Sequence, residues 1–317
     1  MRVAKFSFDK SPKRQSAKQG KWSLSPKVRQ NERQTMQKLK KLRTFSESWT
    51  GTIIIVLLVI FFFIQAFTIP SGSMKNTLLV GDFLFVKKFS YGIPTPHIPW
   101  IEVPVLPDFN KDGHLISGEG PKRGDIVVFR SPQNTKVHFV KRCVAKGGDE
   151  VLVSGATLFV RMSEGDEYMR ANFADKIALI EGRTFVKEPY NQKGIHNDER
   201  VDMERVYLEQ LINDSFAMQP VFVKGFGDIS ASGGNAYYFK VPENEYFMMG
   251  DNRDHSSDSR YWGSVPYKLI VGTPWFSYFS WDEKFNIRWE RIGRLVQTLQ
   301  DDENLIHEDL SEIGALE

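Results

Sequence analysis

From residue 48 to residue 74 the chain carries no charged side chain, and residues 53–69 are almost wholly aliphatic or Phe. At 1.5 Å per residue this core of about 17 residues covers about 26 Å as a helix, the low end of a bilayer crossing. Trp49 stands where an interfacial anchor belongs. A buried core helix rarely runs so far without a charge. A cleaved leader has a shorter basic region and small residues at its cleavage site. Here about fifty residues precede the run, and it ends in Phe67, Thr68, Ile69 and Pro70. The reading is a retained transmembrane helix over 51–69.

Charge divides the chain at the same place. Of 42 Lys+Arg and 39 Asp+Glu in 317 residues, 14 basic and 3 acidic groups fall in residues 1–50, which leaves the rest net acidic. Lys38, Lys40, Lys41 and Arg43 lie close to the apolar run. They place the N-terminus in the cytoplasm and the rest of the chain across the membrane. With Ser, Gln and Pro in place of apolar periodicity, the arm at 1–50 reads as flexible. No nucleic-acid motif accompanies its charge, so nucleic acid is not an expected partner. A single cysteine, Cys143, excludes an internal disulfide framework and a cysteine-rich zinc module.

Beyond Pro70 the pattern becomes short Val- and Phe-rich runs bounded by Gly or Pro. Strands are expected at 82–88, 125–130, 137–146, 150–153, 156–161, 221–224, 237–241 and 246–249. A helix fits 201–213, and Ile292, Leu295, Val296 and Leu299 have the spacing of a short amphipathic helix. Five prolines between 94 and 107 exclude a regular element there. Residues 154–236 lack a motif and read as an insertion or cap. Residues 301–317 hold seven acidic groups and no Lys or Arg, a solvated tail. The expected organisation is a basic arm (1–50), a transmembrane helix (51–69), a mostly β domain (70–293, with the insertion at about 154–236) and an amphipathic and acidic tail (294–317).

Three segments could carry chemistry. Ser71, Gly72 and Ser73 follow the apolar run directly, although Ser and Gly in such a place also make ordinary polar turns. In 137–144, strand alternation puts Val137, Phe139, Lys141 and Cys143 on one face. A lysine on an apolar face either snorkels to water or loses its charge to desolvation. A neutral lysine amine is a competent base, and Ser–Lys pairs are a known form of nucleophilic catalysis. From 251 to 260 every residue is Asp, Asn, Arg, His or Ser, which suggests a hydrogen-bonded scaffold. A calcium loop is disfavoured there, because the acidic spacing breaks the ligand pattern. No metal or cofactor is expected.

Together these segments resemble the bacterial type I signal peptidases, membrane-bound serine proteases. The resemblance is carried by Pro-Ser-Gly-Ser-Met at 70–74, Leu-Leu-Val-Gly-Asp-Phe-Leu-Phe-Val-Lys-Lys at 78–88 and Arg-Gly-Asp-Ile-Val-Val-Phe at 123–129. Lys-Arg at 141–142, Gly-Asp-Asn-Arg-Asp at 250–254 and Ser-Asp-Ser-Arg-Tyr-Trp-Gly at 257–263 complete it. It implies a membrane-anchored, mostly β fold shared with self-cleaving SOS-type repressors, with an inserted β-rich cap. Such repressors carry a DNA-binding domain and no span; this sequence shows no such domain.

The resemblance implies Ser73 as nucleophile, Lys141 as general base, and an oxyanion hole from the Ser73 N–H and the Ser71 hydroxyl. It implies that Ser256 hydrogen-bonds and orients the lysine, that Asp258 and Arg260 form a supporting ion pair, and that Asp251 and Arg253 brace the loop with Arg142 beside Asp251. Ile69, Pro70, Met74, Leu78, Phe139 and Val140 match substrate-pocket positions. The implied substrates are exported preproteins cut after Ala-x-Ala, with signal peptides and the lipid bilayer as partners and a monomeric enzyme on the outer side of the cytoplasmic membrane. The sequence departs from the family pattern at Lys75, at Asn76 (usually Pro), at His138, at 145–147 and at His255. Two other readings remain, a non-catalytic anchored scaffold and a protease dedicated to one surface protein. Cys143 reads as a small core residue.

Overall fold

The computed structural model describes residues 26–97, 103–197, 217–229, 233–302 and 305. The expected helix at 201–213 and most of the acidic tail lie outside the described residues. The chain divides into two compact units, 1–57 and 58–317.

In the first unit the arm is not irregular throughout: helix α1 spans Pro26–Ser46. The cause is local. Pro at a first helical position is preorganised for the helix, and the Gln, Met, Lys, Leu and Arg residues that follow are good helix formers. Helix α2, Trp49–Phe63, takes up most of the apolar run. It stops six residues short of the expected end, because Ile64–Thr68 forms strand β1 instead. An all-apolar run does not distinguish helix from strand by periodicity. Here a waiting sheet edge decides, since β1 pairs antiparallel with β2 (Asp82–Lys87), Ile64 opposite Lys87 and Thr68 opposite Phe83. Among the described residues no helix is long and apolar enough to cross a membrane.

The second unit is mostly β. Strands β3 (Gly92–Pro94) and β4 (His114–Ser117) form a small ribbon. β5 (Ile126–Arg130), β6 (His138–Lys146), β7 (Glu150–Ser154) and β8 (Thr157–Arg161) follow close to their expected places. Helix α3 (Asp166–Asn172), β9 (Ile177–Ile180), β10 (Arg183–Lys187) and β11 (Gln219–Val221) come next. β12 (Ala236–Lys240), β13 (Glu245–Met249), helix α4 (Ser259–Trp262), β14 (Val265–Pro266), β15 (Ile270–Ser280) and helix α5 (Val296–Asp301) follow among the described residues.

A seven-stranded sheet runs in the order β1-β2-β15-β5-β6-β13-β14, and a six-stranded sheet in the order β11-β12-β7-β8-β10-β9. The two are joined by continuous legs. β6 leads through Gly147 and Gly148 into β7, and β12 leads into β13, so the motif-free stretch builds a second sheet on the end of the β6–β13 pair. Val144, Ala145, Phe247 and Met249 share one core with Val151, Val160 and Tyr237 of this second sheet. Val127, Phe129, Cys143, Met248 and Ile270 form another. A third, Ile69, Met74, Leu78, Leu84 and Ile126, is closed by Val296, Leu299 and Leu305 from the C-terminal segment. The C-terminal helix therefore starts four residues later than expected, after Gly293 turns the chain at a φ of 77°.

Candidate active site

Ser73 sits in a single 3-10 turn, Gly72–Met74, between β1 and β2. The turn is pinned on both sides. Leu78 N donates to Met74 O at 2.7 Å, Ile69 N to Asp82 O at 2.9 Å, and the 250–258 loop reaches over to hold its carbonyls. Asn252 N donates to Ser73 O at 3.2 Å, and Asn252 Nδ2 to Gly72 O at 3.1 Å. The Ser73-bearing turn and the polar loop thus form one hydrogen-bonded unit.

Lys141 lies opposite Val127 in the β5–β6 ladder and is 3% exposed. Its Nζ is hydrogen-bonded to Ser73 Oγ and lies 5.7 Å from the centre of the Phe139 ring. Burial is the main influence on its ammonium: it lowers the pKa to about 8, against the opposing pull of Asp258 and Asp251. Ser71 Oγ is 3.4 Å from Ser73 Oγ, within reach of an oxygen that develops on a carbonyl attacked by Ser73.

The supporting charges pair largely as expected. Arg142 grips Asp251 with two nitrogens, Nε to Oδ1 at 2.7 Å and Nη2 to Oδ2 at 2.6 Å, both residues being buried. Arg260 does the same to Asp258, at 2.9 Å for both contacts. Burial alone raises a carboxyl pKa, but the Arg260 guanidinium outweighs it and holds Asp258 below the usual carboxylate range. Arg253 braces the loop through its backbone, its N–H donating to His196 O at 3.1 Å; its buried Nε and Nη2 have no hydrogen-bond partner among the described residues.

One expected contact is not formed. Ser256 is buried, but its Oγ has no hydrogen-bond partner among the described residues, and Lys141 engages Ser73 instead. The Ser256 hydroxyl lies against Gly250, where a Cβ would fall 2.3 Å from it.

Of the pocket positions, Ile69, Met74, Leu78 and Val140 pack in the core beneath the turn, with Met74 and Leu78 fully enclosed. Pro70 is exposed, and Phe139 is half-buried, stacked on Trp262 at 6.4 Å. Cys143 is buried and burial raises its thiol pKa, which keeps it an unreactive core residue.

Several residues that complete the site were not singled out from sequence. Thr77 Oγ1 donates to Asp251 Oδ2 at 2.6 Å, which ties the Ser73 segment to the Arg142 pair. Gln300 of α5 accepts from Arg142 Nη2 at 3.1 Å through its side chain, and from Gly194 N at 3.3 Å through its carbonyl. His196 pairs with Asn252 as an isolated bridge, its N–H donating to Asp251 O at 3.0 Å. A strap that follows the second sheet and the C-terminal helix thereby both reach the 250–258 loop and its Arg142 partner.

Two substitutions test this frame. Asp251→Ala strands the buried Arg142 charge and is expected to cost about 3–5 kcal/mol in urea unfolding, whereas replacing both partners by apolar residues of similar volume recovers most of it. Asn76, where the family pattern has Pro, adopts a φ of 72°. Asn tolerates that region, but Pro fixes φ near −65°. Asn76→Pro is therefore expected to lower the melting temperature and the activity together, and Asn76→Gly to leave both near wild type.

A serine hydroxyl bonded to a desolvated lysine, on a mostly β frame, is chemically equipped for acyl transfer with lysine in the place that histidine takes in other serine hydrolases. Sequence comparison narrows this class. The family model for signal peptidase, peptidase S26, matches residues 42–279. Signal peptidase I of Helicobacter pylori strain J99 is 45% identical over 285 residues, which is 84% of this chain and 97% of that protein. Signal peptidase I of Pseudomonas fluorescens is 34% identical, covering 86% and 85%. A solved signal peptidase I from Enterococcus faecalis V583 is 23% identical over 49% of this chain and 97% of that one, with a TM-score of 0.24, so the weight rests on the sequence relatives. The chain belongs to the signal peptidase family, peptidase S26, and is a serine endopeptidase of the signal peptidase I kind.

Proposed function

We propose that this enzyme removes signal peptides from exported preproteins, cutting after the last residue of an Ala-x-Ala site. The observation that carries the reading is the hydrogen bond between the buried Lys141 amine and the Ser73 hydroxyl. As the free amine, Lys141 accepts the Ser73 proton while Ser73 Oγ attacks the scissile carbonyl. The Ser73 N–H and the Ser71 hydroxyl stabilise the oxyanion. Lys141, now an ammonium, gives its proton to the leaving amine, which frees the mature protein and leaves an acyl-enzyme on Ser73. Lys141 then takes a proton from the water that attacks the ester and returns it to Ser73 Oγ as the ester C–O bond breaks, which releases the signal peptide and restores both groups.

The peptide lies extended along the β strands beside Ser73, and small side chains are selected because larger ones find no depth. The exposed Ile53, Ile54, Ile55, Val56 and Leu58 of α2, with no charge from 48 to 74, support an anchor in the cytoplasmic membrane. The basic N-terminus lies in the cytoplasm and the catalytic unit, as a monomer, on the outer side. The 15-residue helix is about 22 Å long, shorter than the hydrocarbon layer, a mismatch that bilayers accommodate by local thinning.

The test uses the detergent-solubilised full chain and a preprotein with an Ala-x-Ala site, with mass spectrometry locating the cut. Cleavage after the last Ala, blocked when that residue is Phe, is the expected result. A folded enzyme that cuts neither substrate sinks the proposal and favours the scaffold.

A further inference from the structure

The helix ladder breaks between α1 and α2, and the break is built. Glu47 N donates to Arg43 O at 3.0 Å, Ser48 N to Phe45 O at 3.1 Å, and the next bond of the ladder is Thr52 N to Ser48 O at 2.8 Å. Side chains close the gap. Ser48 Oγ donates to Phe45 O at 2.6 Å and accepts from Gly51 N at 3.0 Å, and Thr52 Oγ1 donates to Ser46 O at 2.9 Å. A Cβ on Gly51 would fall 1.7 Å from Phe45 O. In a continuous helix six residues span about 9 Å along the axis. The chain therefore turns sharply here, and α1 does not continue the line of α2.

The helix held at this elbow has two surfaces that water alone does not explain. Met36, Leu39, Leu42 and Phe45 are exposed, Leu42 at 67%. Between 33 and 46 there are Arg33, Lys38, Lys40, Lys41 and Arg43 and no Asp or Glu. Three-residue steps rotate successive apolar side chains by about 60°. The apolar residues therefore span about half the circumference, with Lys38 and Arg43 inside that arc and Arg33, Lys40 and Lys41 beyond its edges, all long stems that can snorkel.

We infer that α1 lies along the surface of an anionic lipid bilayer, with Met36, Leu39, Leu42 and Phe45 in the acyl boundary and Arg33, Lys38, Lys40 and Lys41 at lipid phosphates, Arg43 being paired with Glu47 at 2.8 Å. The charge complementarity and the elbow beside the charge-free α2 select this partner. The inference rests on the anchoring proposed above: once α2 enters the bilayer, the elbow directs α1 away from that axis, along the interface. The enzyme would then read the lipid charge of the leaflet that faces its N-terminus.

The test uses the full chain with one nitroxide on a new cysteine, Leu42→Cys or Leu58→Cys, the buried Cys143 being slow to label. Each protein is reconstituted into vesicles of phosphatidylcholine alone or mixed with phosphatidylglycerol. Depth is read from relaxation by oxygen, which partitions into lipid, against a water-soluble nickel chelate. At position 42 the oxygen-to-nickel ratio is expected to be several-fold higher in the anionic vesicles, and high salt to reverse the difference. At position 58 the probe is expected to be deep in both lipids. A probe at 42 that stays in water while 58 is deep overturns the inference and leaves the anchor standing. Water exposure at 58 overturns the anchor and this inference with it. Equal shielding from both reagents at 42 in both lipids means a protein covers α1, and also overturns it.

Discussion

Ser73→Ala and Lys141→Met are each expected to lower cleavage by roughly four orders of magnitude or more, and the double variant to be no worse than either alone, because the two groups act as one unit. The pair is hydrogen-bonded and buried, and each side chain acts only through the other. Preprotein turnover measured by gel shift checks this, with circular dichroism confirming the fold; appreciable cleavage by Ser73→Ala would assign the chemistry elsewhere. The same lysine sets the pH dependence. Its amine must be neutral to accept the proton, and burial lowers its pKa to about 8. The rate is therefore expected to rise about tenfold per unit as pH approaches about 8 from below, and to level off above it.

Stability is linked to the same group. Folding lowers the lysine pKa from 10.5 to about 8, so between those values the unfolded chain binds more protons than the folded one. Wild-type stability should then increase with pH across that window, while below it the cost of burying the ammonium is fully present. In Lys141→Met that rise disappears and the protein is relatively more stable at low pH. Urea midpoints at pH 7 and pH 9.5 for the two proteins measure the difference directly.

What the sequence shows of this fold follows from which forces are local. β5, β6, β7 and β8 stand close to their expected limits because Val- and Phe-rich runs ended by Gly or Pro describe them fully. The longest strand, β15, was not anticipated, since Gly272 and Pro274 inside it read as breakers. The structure places register shifts in its pairing with β2 and β5, and bulges are where a strand tolerates such residues. The end of α2 was missed for a related reason. Nothing within 48–74 announces that 64–68 will pair with a strand some twenty residues on.

The site divides in the same way. The meeting of Ser73 with Lys141, and of Arg142 with Asp251, was legible through the motifs that carry the family resemblance. Thr77 and Gln300 were not, because their partners lie 174 and 158 residues away along the chain. Ser256 shows the converse: a matching position does not guarantee the matching contact.

Gly250→Ala is expected to slow catalysis about a hundredfold while both members of the dyad remain, for a reason found in space and not in dihedral angles. Gly250 has no positive φ, so alanine meets no backbone strain. Its Cβ would instead fall 2.4 Å from Ser73 O, 2.3 Å from Ser256 Oγ and 2.5 Å from Ser256 Cβ. Ser256 can yield, having no hydrogen bond to lose. Ser73 O cannot, because Asn252 N holds it at 3.2 Å and the turn beneath packs on enclosed Met74 and Leu78. The methyl group is therefore expected to push the loop and the Ser73 turn apart, and to move Ser73 Oγ off the Lys141 amine. Displacement on the ångström scale costs about a hundredfold in rate. Overpacking of this kind costs about 1–3 kcal/mol in stability, so a folded protein remains to be assayed. The expected result is a fall of about a hundredfold in kcat with KM little changed, since the methyl meets the Ser73 carbonyl and Ser256. Adding Ser256→Gly relieves the contacts with Ser256 and leaves the one with Ser73 O, so it should restore little. Full recovery in that double variant would show that Ser256, and not the carbonyl of the nucleophile, sets the limit on residue 250.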